Sequence, residues 1–344
     1  MKKLRIAVLM HPTLVPPPTL DGHSEKEIND WKTEYDVVST LRKAGHEVEP
    51  LGVQEELGPI RDLHQQWQPH CFFNLLEEFH GMVEFDHHVV SFLELLQAAY
   101  TGCGPRGLVL SRDKALAKKV VAYHRIRVPA FAVFPRGHKV KRPARLAYPL
   151  IVKSLSQEAS VGISQASIVD SDEKLAERVR FIHESVGTEA LVEQFIEGRE
   201  LYVCLLGNHR LKVLPVWELG FENLPPGAAA IATANVKHNP ETQRRWGIVQ
   251  HAAEGLDPAL VQKLVRTSKR IYKLLGLDGY GRLDYRLSPQ GELFFLEANP
   301  NPEIAQSEEF ASAAESVGLH YPQLLQTIVK LGLSRRPAPL AAEK

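Results

Sequence analysis

Two strand-like runs, Gly281-Arg282-Leu283-Asp284-Tyr285-Arg286-Leu287 and Glu292-Leu293-Phe294-Phe295-Leu296-Glu297-Ala298-Asn299, flank a turn that carries Pro289 and Gly291. This is the pattern of a β-hairpin, and no other stretch restricts the chain as much. With the turn centred on Gln290 and Gly291, Asp284 faces Glu297, Arg282 faces Asn299 and Tyr285 faces Leu296. Strand parity then gathers Arg282, Asp284, Glu297 and Asn299 on one face. Leu283, Tyr285, Leu287, Phe294, Leu296 and Ala298 fall on the other, which suits a core. The polar face sets two carboxylates opposite each other, a repulsive pair unless something offsets it. A shared divalent cation would do so, since Mg²⁺ takes a few carboxylate oxygens together with phosphate oxygens and water. A solvated face neutralised by Arg282 and Arg286 would do so equally well.

The hairpin sits in a chain of 344 residues, which by the usual domain size of about 150 residues holds two or three domains. Apolar residues at 44% and charged residues at 24% exclude disorder and a disulfide-stapled mini-fold. Lys+Arg and Asp+Glu are both 41, so the overall basic excess of a nucleic-acid binder is missing. No apolar run approaches the ~20 residues of a membrane helix. Leu4 to Met10 is interrupted by Arg5 and reads as a first strand rather than a signal peptide. Cys71, Cys103 and Cys204 are odd in number and far apart, as expected of reduced thiols in a cytoplasmic protein.

The order of elements gives the architecture. Strands over 6–10, 48–53 and 71–76, with helices over 31–44 and 89–100, form an open parallel α/β unit of about 100 residues. Turn residues over 101–105 end it. A helix over 106–124, strands over 128–134, 150–153, 165–169 and 191–196, and a helix over 172–185 make a small α+β unit. The remainder is strand-rich, with helices over 258–275 and 321–331 and a frayed tail over 334–344. The chain is thereby divided into units at 1–104, 105–198 and 199–333.

Three further features carry chemistry. Lys153 ends the apolar strand Pro149-Leu150-Ile151-Val152, and the small-residue loop after it could hold phosphates through N–H groups and the ammonium, as could a plain surface loop. Lys114 is one of several basic residues on a helix. Leu191 to Glu200 reads as a strand, a break and a new strand, whose edge could bond a base while Glu200 accepts from a ribose.

The order Lys114, Lys153 with its Ser/Gly loop, Glu193 to Glu200, Arg282-x-Asp284 and Glu297-x-Asn299 resembles the ATP-grasp superfamily, and within it the D-alanine–D-alanine ligases. "PLIVKS…SVG", "LVEQFIEGRE", "GYGRLDY" and "LEANPNP" carry the resemblance, well over 100–330 and loosely before. It implies a three-domain ATP-grasp fold: an N-terminal parallel α/β sheet, a small central α+β lid and a C-terminal antiparallel α+β domain. It implies that Lys114 and Lys153 contact ATP phosphates, and that Ser160, Val161 and Gly162 close over them. Glu193, Gln194, Phe195 and Ile196 would hold adenine, and Glu200 the ribose. Lys237 would reach the terminal phosphate and Arg282 would steady the phosphoryl group. Asp284, Glu297 and Asn299 would bind two Mg²⁺ ions, or Mn²⁺. The activity implied is ATP-dependent joining of a carboxylate and an amine, both small molecules and expected to be amino acids, through an acyl phosphate, with release of ADP and phosphate. A cytoplasmic homodimer is expected, with no nucleic-acid or membrane partner.

The sequence departs from the family at the substrate end. Glu27, in Gly22-His23-Ser24-Glu25-Lys26-Glu27, matches the ammonium-binding position, or simply starts a helix. His80-Gly81 with Glu84 matches a family stretch at shorter spacing, and Glu77 and Glu78 compete for its role. Asp86-His87-His88 is not read as a metal site, because adjacent side chains diverge. Glu303 and Glu308 stand near a family glycine and a carboxylate-binding serine, and His238 stands where a tyrosine is common. The departures point to an acceptor other than D-alanine. A true D-alanine–D-alanine ligase, a binding-only ATP regulator and a bicarbonate-activating carboxylase are the alternatives.

Overall fold

A computed structural model describes residues 2–157, 162–233, 236 and 239–335, and the chain builds three sheets in succession. In the first, β1 (Arg5–Met10) lies between β2 (Glu47–Gly52) and β3 (Cys71–Asn74), all parallel. Helices α1 (Glu25–Asp30) and α2 (Lys32–Lys43) connect β1 to β2, and α3 (Gly58–Gln66) connects β2 to β3. Helix α2 buries Val37, Val38 and Leu41, which its three-residue spacing places on one stripe. Helix α3 goes beyond the sequence reading, although Pro59 in its first turn is a start signal.

Helix α4 (Asp86–Leu95) begins and ends earlier than expected. The single helix expected over 106–124 is two, α5 (Pro105–Arg112) and α6 (Lys114–Tyr123). Asp113 adopts an extended conformation between them, and its side chain accepts from the Leu116 N–H at 2.8 Å. It therefore caps a new helix rather than continuing the old one.

The second sheet is antiparallel, ordered β4 (Phe131–Phe134), β7 (Ala190–Gln194), β5 (Leu150–Ser154), β6 (Ile168–Val169). Leu150, Val152, Ala190 and Val192 pack under α7 (Asp172–Phe181) with Leu175 and Val179. Alternation turns Ile151, Lys153 and Glu193 to the opposite face. The strand expected over 165–169 is a 3-10 turn, Gln165–Ser167, followed by the two residues of β6. Ser167 Oγ accepts from the Ser164 N–H at 3.0 Å and holds that turn.

The third sheet runs β11 (Ile248–Ala252), β10 (Trp217–Phe221), β8 (Arg199–Leu206), β12 (Tyr280–Leu287), β13 (Leu293–Pro300), with β9 (Lys212–Val213) on β8. Both its faces are covered. Leu201, Val203 and Leu205 share a core with Leu283, Tyr285, Leu264 and Ile271, into which α6 contributes Ala117 and Val121. Tyr202, Cys204 and Leu206 share a second core with Phe310, Leu324 and Ile328 from the helices Glu309–Glu315 and Tyr321–Leu333.

The hairpin is β12–β13. Arg282 pairs with Asn299 and Asp284 with Glu297, as the turn position requires. Beyond Asp284 the expectation fails, because Tyr285 pairs with Phe295 rather than Leu296. Leu296 is the extra residue of a β-bulge, and a bulge inverts the facing of the residues on its far side. Phe295 is fully buried and meets Tyr285 edge-on at 5.9 Å, while Leu296 turns towards the polar side.

All three cysteines are buried free thiols. Among the described residues no helix is long and apolar enough to cross a membrane. Residues 336–344 of the expected tail lie outside the described residues. Gly198, between β7 and β8, has φ +126°, and a Cβ there would fall 2.0 Å from the Leu287 carbonyl oxygen. Gly198→Ala should cost about 2–4 kcal/mol of stability; an unchanged melting temperature would show that this junction tolerates a side chain.

Candidate active site

Strands β8, β12 and β13 lie side by side, so their residues of like parity form rows on one face. Cys204, Arg282 and Asn299 make one row; Tyr202, Asp284 and Glu297 the next; Glu200 and Arg286 the third. Arg282, Asp284, Arg286 and Glu200 are all buried. Burial of charge is tolerable only with partners, and each has them. Arg282 donates through Nε to Asp284 Oδ1 at 2.8 Å and through Nη2 to Oδ2 at 3.0 Å, and it also pairs with Glu309. Its guanidinium stacks 4.9 Å over the Tyr202 ring. Against burial, Asp284 and Glu309 hold its pKa well above the ordinary arginine value. Asn299 donates to Asp284 Oδ2 at 3.0 Å. Arg286 donates to Glu200 Oε2 at 2.8 Å, and the Tyr202 hydroxyl donates to Oε1 at 2.9 Å.

Facing this sheet across a cleft is the polar face of the second one. Ile151, Lys153, Ile163, Glu193, Gln194, Phe195 and Ile196 form one wall. Glu200, Ile231, Asp284, Arg286, Leu296 and Glu297 form the other. Apolar side chains on both walls suit a planar ring, and the Lys153 end suits an anion. The free volume between the walls is about 50 Å³, room for a few waters.

Lys153 Nζ is 3.2 Å from Glu193 Oε2. Lys114 donates to the Gln157 carbonyl at 2.7 Å and stands 3.9 Å from Glu297 Oε2. The N–H groups of Gln194 and Phe195 are spent on the carbonyls of Ala130 and Pro149. Of the three donors in this segment, only that of Ile196 lacks an acceptor among the described residues.

The cleft thus brings together Lys153, Glu193, Glu200, Asp284 and Glu297, with Lys114 beside Glu297 and Arg282 and Asn299 bonded to Asp284. Gly162 has φ +72°, and its carbonyl is held by Arg178. Ser160, Val161, Lys237 and His238 lie outside the described residues. Glu27 is exposed and caps its own helix: its carboxylate accepts from the Ser24 N–H at 2.8 Å and hydroxyl at 2.7 Å, bonds that lower its pKa. Its bonds are to Ser24 and not to the hairpin. Asp86 is buried against Arg112, and His87 is bonded to the Glu84 carbonyl at 2.7 Å. Among the described residues no three His, Cys, Asp or Glu side chains are grouped to hold a metal. The hairpin set of two carboxylates and one amide fits a cation that keeps phosphate and water oxygens as its other ligands.

The sequence reading passed over three residues. Lys118 is buried and 2.8 Å from Glu193 Oε1; its place beside Lys119 hid it. Glu309 is buried against Arg282. Glu34 is buried at the start of α2, and no local pattern marks it as inward. Burial pushes its carboxyl up to about 7, opposed by a bond from its own backbone and reinforced by Glu77 and Glu303. Burial likewise pushes Glu308 up to about 7, reinforced by Glu303 and Glu309.

Two antiparallel sheets clasping a cleft with lysines on one wall and carboxylates on the other define an ATP-grasp protein. A family profile described as "D-ala D-ala ligase C-terminus" matches residues 119–330. The D-alanine–D-alanine ligase of Desulforudis audaxviator (strain MP104C) is 31% identical over 303 residues, covering 87% of this chain and 92% of that one. The crystal structure of D-alanine–D-alanine ligase from Bacillus anthracis complexed with ATP superposes with a TM-score of 0.73 at 22% identity, over 97% of this chain and 98% of that one. That of VanG D-Ala:D-Ser ligase from Enterococcus faecalis does so at 0.68 and 21% identity, over 96% and 100%. The chain belongs to the D-alanine–D-alanine ligase family. It is an ATP-dependent ligase that joins a carboxylate to an amine and releases ADP and phosphate.

The Glu34 shift has a consequence for stability. Its folded pKa of about 7 lies above the ordinary 4.5, so folding favours the protonated form. The penalty for ionising it grows from pH 4.5 to about pH 7 and is complete above that. Glu34→Gln should therefore be more stable than the parent at about pH 8, by about 1–3 kcal/mol, and lose that advantage as pH falls towards 4.5. Parallel melts across this range check it, and a pH-independent difference would refute it.

Proposed function

We propose that the cleft binds ATP with Mg²⁺ and joins a small amino-acid donor to a small amine, and that the units divide at 104/105 and 198/199. The observation that carries this is the meeting of Lys153 and Lys114 with Asp284 and Glu297 across one cleft. Lys153 and Lys114 take the phosphates. The apolar side chains of Ile151, Phe195, Ile196, Ile231 and Leu296 enclose the base, with the Ile196 N–H as donor. Glu200 accepts from the ribose while Arg286 and Tyr202 hold it. Asp284, Glu297 and Asn299 would hold Mg²⁺, two ions by family resemblance, which supplies neutralisation of phosphate charge.

A carboxylate is a poor electrophile. Its oxygen attacks the terminal phosphorus, the bond to ADP breaks, and an acyl phosphate forms. An amine then attacks the acyl carbon, and the tetrahedral intermediate collapses to an amide and phosphate. Arg282, fixed on two sides by Asp284 and Glu309, offers an oriented cation to the phosphoryl group and to the intermediate. Separation of the sheets admits the nucleotide, and their closure excludes the water that would hydrolyse the acyl phosphate.

The acceptor side supports a second point. Lys32 bonds Ser307, Thr33 Oγ1 donates to Glu303 at 3.3 Å, and the Gln306 N–H donates to Asp36 at 2.9 Å. These bonds fix the loop that carries Glu303 and Glu308 against the start of α2. Where Glu303 and Glu308 are ionised, for Glu308 above its raised pKa of about 7, an acceptor bearing a free carboxylate would be repelled. We take the acceptor to be a neutral or cationic amine rather than D-alanine.

With ATP, Mg²⁺ and a panel of D- and L-amino acids and simple amines, ADP and phosphate should appear only for particular donor–acceptor pairs. Asp284→Asn should lower that turnover by at least about 100-fold. Formation of AMP, or equal turnover by the variant, would overturn the assignment. Glu308→Ser should move acceptor preference towards carboxylate-bearing amines. An unchanged preference across the panel would leave D-alanine as the better reading.

A further inference from the structure

Helix α6 presents two lysines one turn apart to the cleft. Lys114 reaches Glu297 and the Gln157 carbonyl. Lys118 goes deeper. Only 1% of it is exposed, whereas the adjacent Lys119 is exposed. Its ammonium lies 2.8 Å from Glu193 Oε1 and donates to the Leu296 carbonyl, and it stands 5.9 Å from the centre of the Phe295 ring. Leu296 is the bulged residue of β13, immediately before Glu297. One buried ammonium therefore ties the second sheet, through Glu193, to the bulge that sets where Glu297 points.

The charges make the arrangement more than a brace. Glu193 takes Lys118 on one oxygen and Lys153 on the other at 3.2 Å, so the trio holds two cations and one anion. Without Lys118 the remaining pair would be neutral, and the Lys153 ammonium would be committed to Glu193. With Lys118 present, one positive charge is left over at the end of the cleft that suits an anion. A buried ion pair kept only for cohesion is replaceable by apolar side chains at little cost; one that frees a charge for a ligand is not.

We propose that Lys118 is a positioning residue for the nucleotide: it neutralises Glu193 so that Lys153 is free for phosphate, and it pins the Leu296 bulge beside Glu297. This rests on the cleft being the ATP site. The test is calorimetric titration of ATP with Mg²⁺ into the full chain, alongside steady-state kinetics. Lys118→Met should weaken ATP binding and raise the KM for ATP at least 10-fold while leaving amino-acid KM values unchanged. Lys118→Arg should recover most of the loss. Lys118→Met combined with Glu193→Gln removes both partners, leaves a near-isosteric neutral pair that guards against misfolding, and frees Lys153 again. It should bind ATP better than Lys118→Met alone, a non-additivity that loss of packing does not produce. Equal ATP binding by the parent and Lys118→Met, or additive losses in the double variant, would overturn the proposal. A parent chain that binds no ATP would overturn the nucleotide-site reading, and this proposal with it.

Discussion

A carboxylate buried on a sheet face needs a cation within reach, and the C-terminal sheet supplies its own. Strand β12 alternates Arg282, Asp284 and Arg286 along one side, so acid and base are neighbours before any ligand arrives. Arg286 secures Glu200 on β8, and Arg282 secures Asp284 and Glu309. The cost of organising these dipoles is met during folding, which is the condition for strong electrostatic stabilisation of a reacting phosphoryl group. The sheet that carries this polar face lies between two apolar cores, which bury the pairs and strengthen them.

The second sheet solves the complementary problem. Its outward face carries Lys153 and Glu193 over an otherwise apolar strand pair, and α6 reaches in from beside it. Against burial, which works the other way, Lys118 and Lys153 hold the pKa of Glu193 below its ordinary value. Burial lowers the pKa of Lys118, while Glu193 works to raise it. Against burial, Glu193, Glu297 and Glu200 raise the pKa of Lys153, so its ammonium persists. The cleft is polarised along its length, anionic at the hairpin and cationic at the strand end.

How much of this could be read from residues alone depends on the range of the interaction. The hairpin was legible because its turn and its alternation are local, and the pairing of Asp284 with Glu297 came from counting. The bulge was not, since an extra residue leaves alternation intact on either side while shifting it; only the fully buried Phe295 reveals the slip. The row formed by β8 was also hidden, because strand neighbours some 80 residues apart leave no local trace. Asp113 shows the middle case. An Asp before a lysine-rich helix is a cap signal, and the continuous apolar stripe on both sides masked it. Lys118 and Glu309 look like surface residues until helix packing turns them inward.

The loop after β13 and the start of α2 are fastened by side chains some 270 residues apart in the chain. On the proposed reading, the wall that faces the acceptor is thus written in two distant passages, and the nucleotide half elsewhere, in β5, β7, β12 and β13. Selection can therefore revise one without disturbing the other. On that reading, a change in the first turn of α2 would alter what is accepted and leave the energy source untouched, so lineages of such ligases can diverge in product while sharing one engine.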